Sequence, residues 1–208
     1  MSRGLFSKIS ANVGLLGLVA LTGAGVLATI DHWATPQVQI NRAQALRNQL
    51  AELVPEELYD APLEQGVKTV TAPRLGAGEQ QIYRARRAGK VTAVLITAQV
   101  ADGYNGAIRL LLAVNGDERV LGVRVLEHRE TPGLGDAIET RKSDWVLGFN
   151  GRSLNDPEPA GWAVRKDGGR FDQITAATIT PRAVVGGVKR ALEYIQAHKI
   201  ELFEINNT

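Results

Sequence analysis

The sequence predicts an α+β fold: a single N-terminal transmembrane helix, a helical connector, and a domain of antiparallel sheet flanked by helices. Three observations predict it. Residues Ile9 to Ile30 carry no charge and form a run long enough to cross a bilayer as one helix. Between Gln80 and Leu126 the pattern breaks into short aliphatic and β-branched runs separated by turn residues. Near the C-terminus, Val184, Val188, Leu192 and Ile195 recur at steps of three and four, the period of an amphipathic helix.

Arg3 and Lys8 precede the apolar run and Asp31 follows it, so the positive-inside rule puts the N-terminus in the cytoplasm. Trp33 falls where an aromatic interface anchor would sit. A cleavable signal peptide is disfavoured, because the run exceeds an ordinary h-region and no clear A-x-A site follows. Ala20, Ala24 and Ala28 make a small-residue stripe that would let a partner helix approach closely. From Pro36 to Val54 the pattern stays helical, with Ile40, Ala43, Leu46, Leu50 and Leu53 on one side, until Pro55 and Pro62 end it. The expected organisation is therefore an N-terminus and anchor over 1–33, a connecting helix within 34–65, and a folded domain over 66–208.

Within that domain, strands are expected at Gln80–Arg87, Val91–Val100, Ala107–Val114 and Arg119–Leu126. The turns between them are short, which implies an antiparallel meander, since parallel neighbours need long crossovers. Arg84, Arg86 and Arg87 read as a solvated edge face. The glycines of Glu130-Thr131-Pro132-Gly133-Leu134-Gly135 either shape a strand-to-helix turn into Asp136–Arg141 or let backbone N–H groups lie against a flat or anionic ligand. Ser143–Phe149 reads as a short helix and Asn150–Gly161 as a surface loop. Trp162–Arg165 and Gly169–Ile174 read as two strands about Asp167-Gly168-Gly169. In the last helix Thr180 is the expected N-cap, Pro181 fits the first turn, and Gly186-Gly187 implies tight packing on the sheet.

Composition excludes several chemistries. The 208 residues include no cysteine, which rules out disulfides, thiolate-held iron–sulfur clusters and a Cys nucleophile on this chain. A formal charge of +2 with no long basic run gives no grounds for a nucleic-acid partner. His32, His128 and His198 are scattered without metal-ligand spacing, and no phosphate-loop, dinucleotide or nucleophile-elbow motif occurs. What remains is Thr178, whose hydroxyl falls just ahead of a helix N-terminus. There the free N–H groups and helix dipole favour an anion such as phosphate. A threonine-rich turn that merely caps a helix fits the same residues.

Three short motifs, in order, carry a resemblance. Asp172-Gln173-Ile174-Thr175-Ala176-Ala177-Thr178 is similar to the D-x-x-[ST]-[GA]-A-[ST] flavinylation motif of FMN-binding domains. Gly103-Tyr104-Asn105-Gly106 and Glu130–Gly135 match that family's other two marks. With its single anchor, the whole chain resembles the G subunits of Rnf ion-translocating electron-transport complexes. The related C subunits of sodium-translocating NADH:quinone reductases are generally longer.

The resemblance implies FMN joined to Thr178 by a phosphodiester bond, installed by a separate flavin transferase. It implies cofactor-binding roles for Asp172, Thr175, Ala176 and Ala177 of the motif, for Tyr104, and for Glu130, Thr131, Gly133, Leu134 and Gly135 against the isoalloxazine ring. No residue then acts as acid, base or nucleophile in turnover; the flavin does the redox work. Also implied are the other membrane subunits as partners, and a bacterial inner-membrane location with one span and a periplasmic FMN domain. The function expected is an electron-carrying subunit of an ion-translocating ferredoxin/NAD oxidoreductase complex. A membrane-anchored flavin-binding sensory or regulatory domain, and a cofactor-free anchored binding module, are the competing functions. Ala176 departs from the commonest form, which has Gly there; a turn requiring φ > 0 would strain it.

Overall fold

A computed structural model describes residues 16–18, 20–26, 29 and 44–203. The first three stretches are helical, and among the described residues no helix is long and apolar enough to cross a membrane. Most of the anchor expected over Ile9–Ile30, with Trp33 and the first part of the connector, lies outside the described residues. Two compact units are present, Met1–Ala45 and Leu46–Thr208.

The larger unit is built on one five-stranded antiparallel meander in the order β1 (Lys68–Val70), β2 (Gln80–Arg87), β3 (Lys90–Gly103), β4 (Gly106–Asn115), β5 (Val120–Glu127). Both faces of the sheet are covered, which is why β3 and β4 read as nearly continuous apolar runs rather than clean alternation. The period-two rule still sorts the side chains. Ile82, Val94, Ile96, Val100, Leu110 and Leu112 pack with Val184, Val185, Val188, Leu192 and Ile195 of the long helix α2 (Ile179–Ala197). Tyr83, Ala85, Ala93, Leu95, Leu111 and Ala113 turn the other way, onto Leu50, Leu53, Val54 and Leu63. Leu50 and Leu53 come from helix α1, residues 44–53. The connector therefore ends as part of the domain's second core. Helix α3 (Lys199–Phe203) follows α2 directly.

Gly187 explains the glycine pair. A Cβ there would lie 2.3 Å from Val100 Cγ2 and 3.3 Å from Leu110 Cδ1, so α2 approaches β3 more closely than alanine would allow. At Gly186 the same atom would meet only the Arg190 guanidinium, at 3.2 Å.

Four local expectations change. The arginines of β2 lie beyond the stretch that β1 covers, which ends at Ile82, and Arg86 and Arg87 are exposed, but Arg84 is half-buried and not simply solvated. Arg84 instead donates to the carbonyls of Leu202 and Glu201 at the end of α3, and Arg87 to the carbonyl of Glu57. Trp162–Arg165 and Gly169–Ile174 are not paired strands: Val164 and Phe171 make one isolated parallel bridge, with a 3-10 turn at Arg165–Asp167 between them. What organises this stretch is aromatic packing. Phe149 lies 4.7 Å from Phe171 and 6.3 Å from Trp162, with Trp145 edge-on at 5.5 Å. The helices expected at Asp136–Arg141 and Ser143–Phe149 are short 3-10 turns, Gly135–Ile138 and Trp145–Phe149. Finally, α2 starts earlier than expected. Thr178 is its N-cap, and Thr180 and Pro181 lie inside its first turn.

Candidate functional site

Three loops meet at one end of the sheet. The first is the two-residue Tyr104-Asn105 turn joining β3 to β4, closed by the Gly103–Gly106 pair. The second follows β5. Leu134 N–H donates to Thr131 C=O at 3.1 Å, with Pro132 second in the turn and Gly133 third at φ 79°, the residue pattern of a type II turn. The third precedes α2. There Ala177 N–H donates to Ile174 C=O at 3.1 Å, and Ala176 occupies the third position at φ 61°. Alanine thus stands in the left-handed region that the sequence raised as a source of strain, at about 1–2 kcal/mol relative to glycine's freedom.

Glu130 ties the three together. It is 4% exposed. One carboxylate oxygen accepts the Asn105 N–H at 3.1 Å and the other accepts the Thr180 hydroxyl. Two glycines make room for it: a Cβ on Gly103 or on Gly135 would fall 2.9 Å from a Glu130 carboxylate oxygen. The first glycine of the β3–β4 turn and the last of the 130–135 loop thus enclose one side chain. Asn105 Nδ2 adds a bond to Thr131 Oγ1 at 3.1 Å.

His128 holds the loop from behind. Its Nδ1 accepts the Glu130 N–H at 3.0 Å, so Nε2 carries the proton and donates to Glu139 Oε1 at 2.8 Å. The His128 hydrogen bond, then that of Arg141, holds the Glu139 carboxyl below its usual range.

Between the loops lies an open cleft of about 330 Å³. Tyr104, Leu134, Ala176, Ala177 and Ile179 supply apolar surface; Glu130, Thr131, Gly135, Thr178 and Thr180 supply the rest. Tyr104 is 65% exposed, so its ring forms a rim. Thr178 makes no capping hydrogen bond, leaving its hydroxyl beside the first turn of α2. The N–H groups there have no intrahelical partner. No lysine or arginine lines the cleft among the described residues.

Three residues singled out in the sequence are not in this lining. Gly133 and Thr175 are exposed in their turns. Asp172 faces a separate hollow, where its carboxylate meets Arg165 at 3.0 Å and its carbonyl accepts the Trp145 Nε1–H at 2.8 Å. Conversely, Thr180 and Ile179 belong to the cleft although sequence reasoning gave Thr180 only a capping role and Ile179 none. The i, i+2 spacing from Thr178 could have suggested Thr180. Among the described residues no cluster of three or more His, Asp and Glu side chains is placed to hold a metal ion.

Comparison with known proteins agrees with this geometry. The FMN-binding domain family matches residues 103–193, from the β3–β4 turn into α2. The G subunit of the ion-translocating oxidoreductase complex of Pseudomonas aeruginosa (strain UCBPP-PA14) is 48% identical over 193 residues, 92% of this chain and 90% of the relative. The G subunit of the same kind of complex in Pseudoalteromonas atlantica is 46% identical over 201 residues, 96% of this chain and 94% of its own. That of Vibrio cholerae (strain ATCC 39541) is 42% identical over 199 residues, 95% of each. At this similarity over nearly its full length, the chain belongs to the family of ion-translocating oxidoreductase complex G subunits, and it carries their FMN-binding domain.

Proposed function

We propose that this chain is the electron-carrying subunit of a membrane-bound ion-translocating ferredoxin/NAD oxidoreductase complex, with FMN joined to Thr178 through a phosphodiester bond. The observation that carries the reading is the setting of Thr178. Its hydroxyl borders the cleft, is not spent on capping, and stands at the N-terminus of a 19-residue helix. A phosphate at that position meets the free N–H groups and positive dipole end of α2. The lining offers no arginine or lysine to hold a free phosphate dianion. A covalent tether accounts for retention without one.

The residues present fit the group. Thr178 would carry the phosphate. Leu134, Ile179 and the Tyr104 rim would pack on the ring, with the Thr131–Gly135 turn along one edge. When bound, FMN supplies the electron-accepting chemistry. The chain's own part is to position it, shield it and fix the field around it. Attachment requires a flavin transferase acting from outside. The FMN domain works on the side opposite the cytoplasm, held by a single span within the first 33 residues, beside the other membrane subunits.

The test is expression of the full chain with a flavin transferase, followed by denaturing electrophoresis and intact-mass measurement. A fluorescent band and a mass increment of one FMN are expected, both absent in Thr178→Val. A band that survives this substitution would place the attachment elsewhere, and no band at all would refute covalent FMN. Co-purification with the other redox subunits supports a carrier; purification without them would favour a regulatory domain.

A further inference from the structure

Glu130 is the one formally charged side chain among the residues lining the cleft. It is buried, yet no Lys, Arg or His pairs with it among the described residues. Lys142, the nearby lysine, goes to Asp136 at 3.5 Å, and Arg141 goes to Glu139 at 2.6 Å. His128 meets Glu130 only through the backbone N–H, with Nδ1 as acceptor, and its other nitrogen goes to Glu139. The two donors to the carboxylate, the Asn105 N–H and the Thr180 hydroxyl, are themselves uncharged. A charge shielded from water is little screened by salt, so its field reaches into the cleft.

We propose that Glu130 sets the reduction potential of the bound flavin, by holding an uncompensated carboxylate in the wall of the cleft where the ring packs. The inference rests on the reading that the cleft holds FMN. On the alkaline side of neutrality, reduction brings two electrons from the donor and one proton from solvent to the ring. The ring then gains one negative charge. A fixed carboxylate close by opposes that gain and lowers the potential. The clamp among the three loops is what holds the charge in place: the Asn105 N–H and the Thr180 hydroxyl engage the two carboxylate oxygens.

Glu130→Gln separates charge from shape. The amide oxygen can still accept the Asn105 N–H, and the amide NH₂ can donate to Thr180, whose hydroxyl accepts as readily as it donates. The measurement uses the full chain matured with a flavin transferase, titrated with a reductant against a reference dye and followed by flavin absorbance. The variant is expected to shift the reduced-to-oxidised equilibrium about tenfold toward reduced, equivalent to about 30 mV upward for a two-electron couple. Coincident potentials in wild type and variant would overturn the assignment. A second measurement needs no variant: the wild-type infrared difference spectrum on reduction should lack a protonated-carboxyl band. Such a band, appearing with reduction, would mean that the carboxylate neutralises itself, and would equally overturn it. The two readings fail separately. Absence of a fluorescent band sinks the FMN reading, whereas a band with unmoved potentials sinks the role of Glu130 alone.

Discussion

Thr180 donates its hydroxyl proton to Glu130, joining the first turn of the last helix to the loop after β5 across fifty residues of sequence. Both side chains are buried, at 1% and 4% exposure, so neither can exchange the other for water. The bond sets the helix start against the 130–135 loop and so fixes the width of the cleft. Thr180 can make this bond because it lies inside the first turn of α2, while the cap position falls to Thr178.

Replacing Thr180 by valine keeps the shape and removes the donor. A buried carboxylate that loses a hydrogen-bond partner costs about 1–3 kcal/mol. Urea unfolding of Thr180→Val should show a loss of that order, with most of it recovered in Thr180→Ser. An unchanged midpoint for the valine variant would mean that the bond contributes nothing to the fold.

The two adjacent glycines of α2 should respond with opposite signs. At Gly187 an added methyl meets Val100 at 2.3 Å, so Gly187→Ala overpacks the α2–β3 contact. The expected loss is about 1–3 kcal/mol. At Gly186 the only neighbour is the end of a flexible arginine, and Gly186→Ala gains the helix propensity that glycine lacks, about 0.8–1 kcal/mol. Thermal or urea unfolding of the pair decides the matter. Equal effects would show that the asymmetry of packing is not real.

How much of this was legible in the sequence depended on the range of the interactions involved. The extent of β2, Gln80–Arg87, followed from its turns and residue types, because both are local. The other long strands were anticipated to within a few residues for the same reason. β1 was missed: Lys68-Thr69-Val70 is three residues long and gains strand geometry only by pairing with β2. The stretch from His128 to Thr178 was misread in its detail because its shape comes from aromatic contacts such as Phe149–Phe171 and from single bridges, which have no sequence period. At the site, the three motifs could be named one by one. That Glu130 would fasten the glycines of two of them to a threonine beyond the third could not, since no local rule spans fifty residues.

Ala176 offers a more direct test of strain. It sits at φ 61° in the turn that delivers Thr178, where a Cβ is unfavourable and glycine is not. Ala176→Gly should raise stability by about 0.5–1 kcal/mol, the gain reduced by glycine's greater freedom in the unfolded chain. Ala176→Val, with a branched side chain in the same region, should lower it. If valine is tolerated as well as glycine, the left-handed geometry is not retained in solution.

The acid limb of stability should depend on Glu139. Its carboxyl is held below the usual range first by the hydrogen bond with His128 and then by that with Arg141. For a carboxylate with a depressed folded-state value, the contribution is fully present above the unfolded value, about 4.3. It is lost as pH falls from there through the folded value, because the native state must then be protonated against its partners. Glu139→Gln keeps an oxygen acceptor for the His128 Nε2–H but has no proton to take up. The variant should therefore be less stable than wild type at neutral pH, and the gap should close as pH falls below about 4.3. Urea midpoints across this range measure it. A gap that stays constant with pH would show that the pairing of Glu139 with His128 and Arg141 does not link proton binding to folding.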